Sequence, residues 1–290
     1  MKDLLQGYEE CEQLFMLTDK FIAYGENLIQ EYCNLTALQK AVGMCRSDEA
    51  LNIIASKFSL EADVQAAEDP TAASGGSTKP NSKPNKSKSA GLSSTIMDKS
   101  RGALEKLKDF MGRSSTWFKE FFTKSEKYAA QVVNSLATKA AELDKSASSV
   151  NYNVKGVCLT PQDVQLQPVL AQITGAKSKE DLSKVYETLQ STLAGKIPQE
   201  EQELTKDQVI DLLKSYAEAN KRITSERQAA SGFFEHTANT AAADKNNEAL
   251  MLRQLQVTSA MNVVNYLVRF VFQNSAKLLS VTAKGLVKNR

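Results

Sequence analysis

A chain of 290 residues with 42% hydrophobic side chains can bury one sizeable core or two smaller ones, which excludes wholesale disorder. Ala, Lys, Leu, Gln and Ser dominate and only six prolines occur, so the composition points away from an all-β fold and towards helices. The net charge of +2 conceals a division: residues 1–70 hold five basic and thirteen acidic side chains, −8, and residues 71–290 hold 31 basic and 21 acidic, +10. An acidic head on a basic body implies either mutual contact or a head that is later removed.

Residues 2–58 read as two or three short helices. Leu4, Leu5, Tyr8, Cys11, Leu14, Phe15 and Thr18 follow helical spacing, and Phe21, Ile22, Leu28, Ile29 and Tyr32 continue it. Thr36 is read as an N-cap for Ala37 to Met44, and Ser47 as the cap of a helix running to Phe58. The N-terminus has no apolar run of the secretory kind, since Asp3, Glu9, Glu10 and Glu12 interrupt it.

Residues 62–95 change character. The stretch TAASGGSTKPNSKPNKSKSAG has no large apolar side chain and carries Lys79, Lys83, Lys86 and Lys88. It cannot bury enough surface to offset the entropy of ordering, so a disordered linker is expected. The expected organisation is therefore an acidic helical segment 1–61, a linker 62–95 and a basic helical body 96–290.

The body opens on an amphipathic stretch. Leu104, Leu107, Phe110, Trp117, Phe118, Phe121 and Phe122 recur at spacings of three and four, which is one stripe of a helix. Lys106, Lys108, Arg113, Lys119, Lys124 and Lys127 supply a basic counter-surface. Beyond it, Val150, Tyr152 and Val154 alternate with Asn151 and Asn153, and Lys155-Gly156 precedes Val157, Cys158 and Leu159. That pattern predicts one short β-hairpin near 150–159. Thr160-Pro161 reads as a helix start, Ser178 caps a helix ending near Gly195, and Thr205 starts another. Asn246 or Asn247 opens a long C-terminal helix whose most apolar window, Val257 to Phe272, contains Asn262, Asn265 and Arg269 and is read as buried. The fold class expected is mainly α, a helical bundle with that hairpin.

The residues give no catalytic constellation. The single histidine, His236, sits between Glu235 and Thr237 in a polar, Ala-rich stretch. Asp207 and Asp211 share a helix face, the usual mark of a solvated surface. Cysteines 11, 33, 45 and 158 form no CxxC or CxxH pair, so buried reduced thiols are expected rather than a metal site. Phosphate loops, dinucleotide fingerprints and zinc-protease motifs do not occur. No enzyme, no cofactor, no metal and no small-molecule substrate are expected.

The aromatic cluster admits three readings: the core seam of a bundle, an interfacial membrane anchor, or a nucleic-acid contact that rests on the lysines alone. The lysines beside it suit nonspecific phosphate contact, which needs charge and no motif. Three tripeptides, Ser59-Leu60-Glu61, Ala66-Ala67-Glu68 and Ala103-Leu104-Glu105, share a small-x-Glu pattern, and the first two lie where the acidic head meets the linker.

This order of features resembles internal head proteins, or virion structural proteins, of large contractile-tailed bacteriophages. The resemblance rests on KLKDFMGRSSTWFKEFF, VNYNVKGVCL and the tail from Leu250 to Arg290. It implies cleavage by a prohead protease after Glu61 or Glu68 (Glu105 also matches), capsid or other virion proteins as partners, and a basic body packaged beside DNA. It also implies synthesis in the host cytoplasm and a final place in the capsid interior. A different class of role, a cytosolic helical protein binding a membrane surface or partner helix through residues 104–128, is the alternative.

Overall fold

The computed structural model describes residues 2–44, 49–50, 53–54, 56, 86–146, 151–243 and 247–287. The candidate cuts at Glu61 and Glu68, and the part of the linker before Lys86, lie outside them. The fold is mainly α: helices α1 (Lys2–Met44) and α2 (Lys86–Lys145), then α3 (Gln167–Gly175), α4 (Lys179–Gly195), α5 (Lys206–Ser225), α6 (Arg227–Ala243) and α7 (Asn247–Val287). Two three-residue strands, β1 (Tyr152–Val154) and β2 (Gln202–Leu204), interrupt the series.

Several helix ends follow from side-chain chemistry. Ser178 accepts from the Asp181 backbone N–H at 3.1 Å and starts α4. Thr205 and Gln208 form a reciprocal capping box at the head of α5, satisfying two backbone donors that the first turn cannot pair. Thr160-Pro161 opens only a 3₁₀ turn, Pro161–Asp163, without a side-chain cap. Thr36 caps nothing: α1 runs through it, and its hydroxyl donates to the Tyr32 carbonyl at 2.9 Å, one turn back. Buried Leu28, Ile29, Tyr32 and Leu35 carry the stripe across the expected break, and tertiary packing outweighs the weak helix propensity of Asn34 and Thr36.

The linker expectation also shortens. Residues 86–95 are the first turns of α2 rather than linker, because no proline lies between Pro84 and Pro161 and Lys and Ala favour the helix that the later stripe anchors.

The expected hairpin is replaced by a longer-range pairing. β1 pairs antiparallel with β2 in the register Tyr152↔Leu204, Asn153↔Glu203 and Val154↔Gln202. Gly156 does take the left-handed conformation, at φ +67, but Val157 and Cys158 turn inward rather than back along β1. Both are fully buried. The Cys158 N–H donates to Asn274 Oδ1 at 2.9 Å, and its carbonyl accepts from the Tyr216 hydroxyl at 2.6 Å. Those partners occupy the backbone groups a local hairpin would have needed.

The chain forms two compact units, one of residues 1–26 with 108–290 and one of residues 27–107. The boundaries of these units fall inside α1 and α2. In the larger unit Cys11, Leu14, Phe15 and Ile22 of α1 are buried, as are Phe110, Phe118, Phe121 and Phe122 of α2 and Val257 to Phe272 of α7 at most positions. In the smaller unit Leu28, Ile29, Tyr32 and Leu35 are buried together with Ile96, Ala103 and Leu107. Glu31 and Lys106 pair there at 3.5 Å. Among the described residues no helix is long and apolar enough to cross a membrane.

Candidate functional site: the α2 seam and its basic flanks

The apolar stripe of α2 is core. In the larger unit Phe110, Phe118, Phe121 and Phe122 are at most 1% exposed and Trp117 is half-buried. In the smaller unit Leu107 is fully buried and Leu104 half-buried. Sequence reasoning finds the stripe but not what covers it. Phe118 lies 4.6 Å from Phe234 of α6, and Phe121 lies 6.2 Å from Phe15 of α1 between ring centroids. Phe15 in turn meets Phe272 of α7 at 6.2 Å, and Phe110 stacks on Phe21 at 4.7 Å. These tilted and offset arrangements suit the ring quadrupoles and add to the area term. Trp117 places its indole N–H on Thr18 Oγ1 at 3.2 Å, while Thr18 donates to the Leu14 carbonyl. The polar edge of the indole is thus satisfied inside the unit.

The basic residues do not form one surface. At about 100° per residue, Arg113 and Lys124 run along one edge of the stripe, Lys108 and Lys119 run along the other, and Lys127 lies on the outer face between them. Exposed Asp109, Gly112, Thr116, Glu120 and Thr123 separate the two edges. All six cations are exposed, and among the described residues three of them carry an acidic partner. Lys106 pairs with Glu31, Arg113 with Asp109 at 3.7 Å, and Lys119 with Glu235 at 3.0 Å. Lys119 beside it holds the Glu235 carboxyl below its ordinary range. Arg113 also sits over the Phe21 ring, 5.7 Å from its centroid. The counter-surface expected from spacing is therefore two partly neutralised flanks. A helix rotates neighbours apart, so lysines close in sequence need not share a face.

Glu105 is exposed on α2, but the motif it belongs to is not presented as a substrate. Ala103 is 1% exposed and Leu104 is half-buried. The backbone of all three is helical, so an endopeptidase would have to unwind α2 to reach the bond. His236 is exposed on α6, and its carbonyl accepts from Thr240. Asp207 and Asp211 are exposed on α5.

The acidic and basic parts of the chain do meet, at a cation that the sequence did not single out. Arg269 of α7 contacts Glu12 at 3.1 Å and Asp19 at 3.6 Å, both on α1. Gln273 donates to Glu12 at 3.1 Å and Asn265 to Asp19 at 2.6 Å. The guanidinium also lies over the Phe15 ring, 5.7 Å from its centroid. Spacing held the signal: Asn265, Arg269 and Gln273 stand four residues apart on α7, opposite acids seven apart on α1.

No protein-family model, curated protein or solved structure matches the chain.

Proposed function

We propose that the chain is a non-enzymatic structural protein of a phage capsid interior, cut after Glu61 or Glu68 by a prohead protease and packaged beside DNA. The observation that carries this reading is the coincidence of the charge boundary with the two small-x-Glu sites. A cut after Glu68 leaves 31 basic and 22 acidic groups, a body of +9, on the carboxyl side. Exposed Lys108, Lys124 and Lys127 on α2 support nonspecific phosphate contact. At the third site, Glu105, the small residue Ala103 is buried in α2, which weighs against a cut there. The membrane alternative gains nothing from α2, whose apolar face is occupied by the chain's own rings.

Capsid or other virion proteins would be the partners and the capsid interior the destination. Intact mass and N-terminal sequencing of the protein from its native particle test the reading. A body beginning at Ala62 or Asp69 is expected. A particle holding only the full-length chain, or none of it, sinks the proposal.

A further inference from the structure

We infer that cutting the chain between α1 and α2 does not release the N-terminal segment: residues 2–44 stay seated without a covalent link, and the cut protein is a two-chain molecule. The cut itself rests on the maturation reading above; the retention rests on the described residues alone. Hydrolysis adds one water across a single peptide bond. It leaves a new carboxylate on Glu61 or Glu68 and a new amine on Ala62 or Asp69, the agent being an external endopeptidase.

The reason lies in where α1 is used. Within the larger unit its first half is core material. Phe15 is 1% exposed and Thr18 fully buried, and Cys11 and Ile22 are buried beside them. Phe15 sits against Phe121 and Phe272, and Thr18 receives the Trp117 indole N–H. Glu12 and Asp19 close over this layer onto Arg269. Within the smaller unit the second half of α1 supplies buried Leu28, Ile29, Tyr32 and Leu35, with Glu31 on Lys106. Both units contain residues from each side of the cut, so neither is complete without the N-terminal piece.

Releasing α1 would expose Phe121, Phe272 and the Trp117 indole to water and leave Arg269 without its two carboxylates. Charge acts in the same direction: a fragment ending at Glu68 carries five basic and twelve acidic groups against a body of +9. The buried rings, unlike the ion pairs, are indifferent to screening, so the fragment should stay in place in high salt.

The test makes the cut artificially, so it does not depend on the native protease. In the full-length protein, residues 71–77 are replaced by the recognition sequence of a site-specific protease. The purified protein is then cut and run on size exclusion in high salt. One native peak containing both masses in equal amount is expected, resolved into two chains only under denaturing conditions. An N-terminal fragment eluting apart from the body overturns the inference, whether or not the native cut occurs. The converse pattern, halves that co-elute while native particles hold only uncut chain, removes the maturation reading and leaves the retention standing. Phe15→Ala should lower the retained fraction at least about tenfold at limiting concentration. Arg269→Ala provides a milder variant at a partly exposed position, with retention becoming weaker than wild type. Retention unchanged in both variants would also overturn the assignment of this seat.

Discussion

The phenol of Tyr216 donates to the backbone carbonyl of Cys158 at 2.6 Å, tying α5 to the segment that follows β1. Both residues are fully buried, so no water can replace the donor. Tyr216→Phe keeps the ring and orphans the carbonyl, which should cost about 1–3 kcal/mol. The readout is a lower urea midpoint with an unchanged slope. Burial raises the hydroxyl above its ordinary 10.0. The unfolded chain therefore ionises first as pH climbs. The contribution is complete below pH 10.0 and is lost above it. The difference between wild type and Tyr216→Phe should shrink only in that alkaline window.

Gly25 of α1 faces the Phe110 ring of α2 so closely that a Cβ would stand 2.8 Å and 2.9 Å from its two Cε atoms, and closer still to Cζ. Phe110 is fully buried and stacked on Phe21, so the ring has nowhere to retreat. In an isolated helix Gly→Ala would gain about 0.5–1 kcal/mol. Here overpacking at about 1–3 kcal/mol should win. Thermal denaturation of Gly25→Ala should show a lower Tm, and a rise would contradict the close approach.

Gln254 of α7 is fully buried, and among the described residues neither amide atom has a hydrogen-bond partner. A methionine of similar length removes the unpaired groups without opening a cavity. Gln254→Met should therefore stabilise the fold by about 1–3 kcal/mol. Chemical denaturation decides the sign.

Neighbours on α2 should respond very differently. Phe118→Ala empties a site packed by Phe122 and Phe234 and should cost about 3–5 kcal/mol. Lys119→Ala removes only the exposed pair with Glu235 and should leave the urea midpoint unchanged. Equal losses at the two positions would contradict the division of α2 into a core face and solvated flanks.

The seam was legible because helical periodicity is a local property: Phe110, Phe118 and Phe121 sit where their spacing places them. The Ser178 and Thr205 caps were legible for the same reason. What covers the seam was not. Charge made residues 1–61 look separable, yet Cys11, Leu14, Phe15, Thr18 and Ile22 already traced a stripe in need of a partner, and the net charge outweighed that signal. The lysines lie close in sequence, which suggests one surface, but helix rotation sets them on different faces. β2 could not have been found, since Gln202-Glu203-Leu204 has neither alternation nor β-branched residues and is a strand only because β1 lies beside it.

That pairing has a kinetic consequence. Closing a loop of roughly fifty residues costs about 3–4 kcal/mol in chain entropy, which a three-residue ladder cannot supply in advance. The ends must first be brought near by α3 and α4 settling on α7, where Gln256 donates to the Thr174 and Ala176 carbonyls and Tyr266 meets Tyr186. The β1–β2 clasp is therefore a late closure in folding. Its amide protons report when the docking of residues 155–201 is finished, rather than directing it.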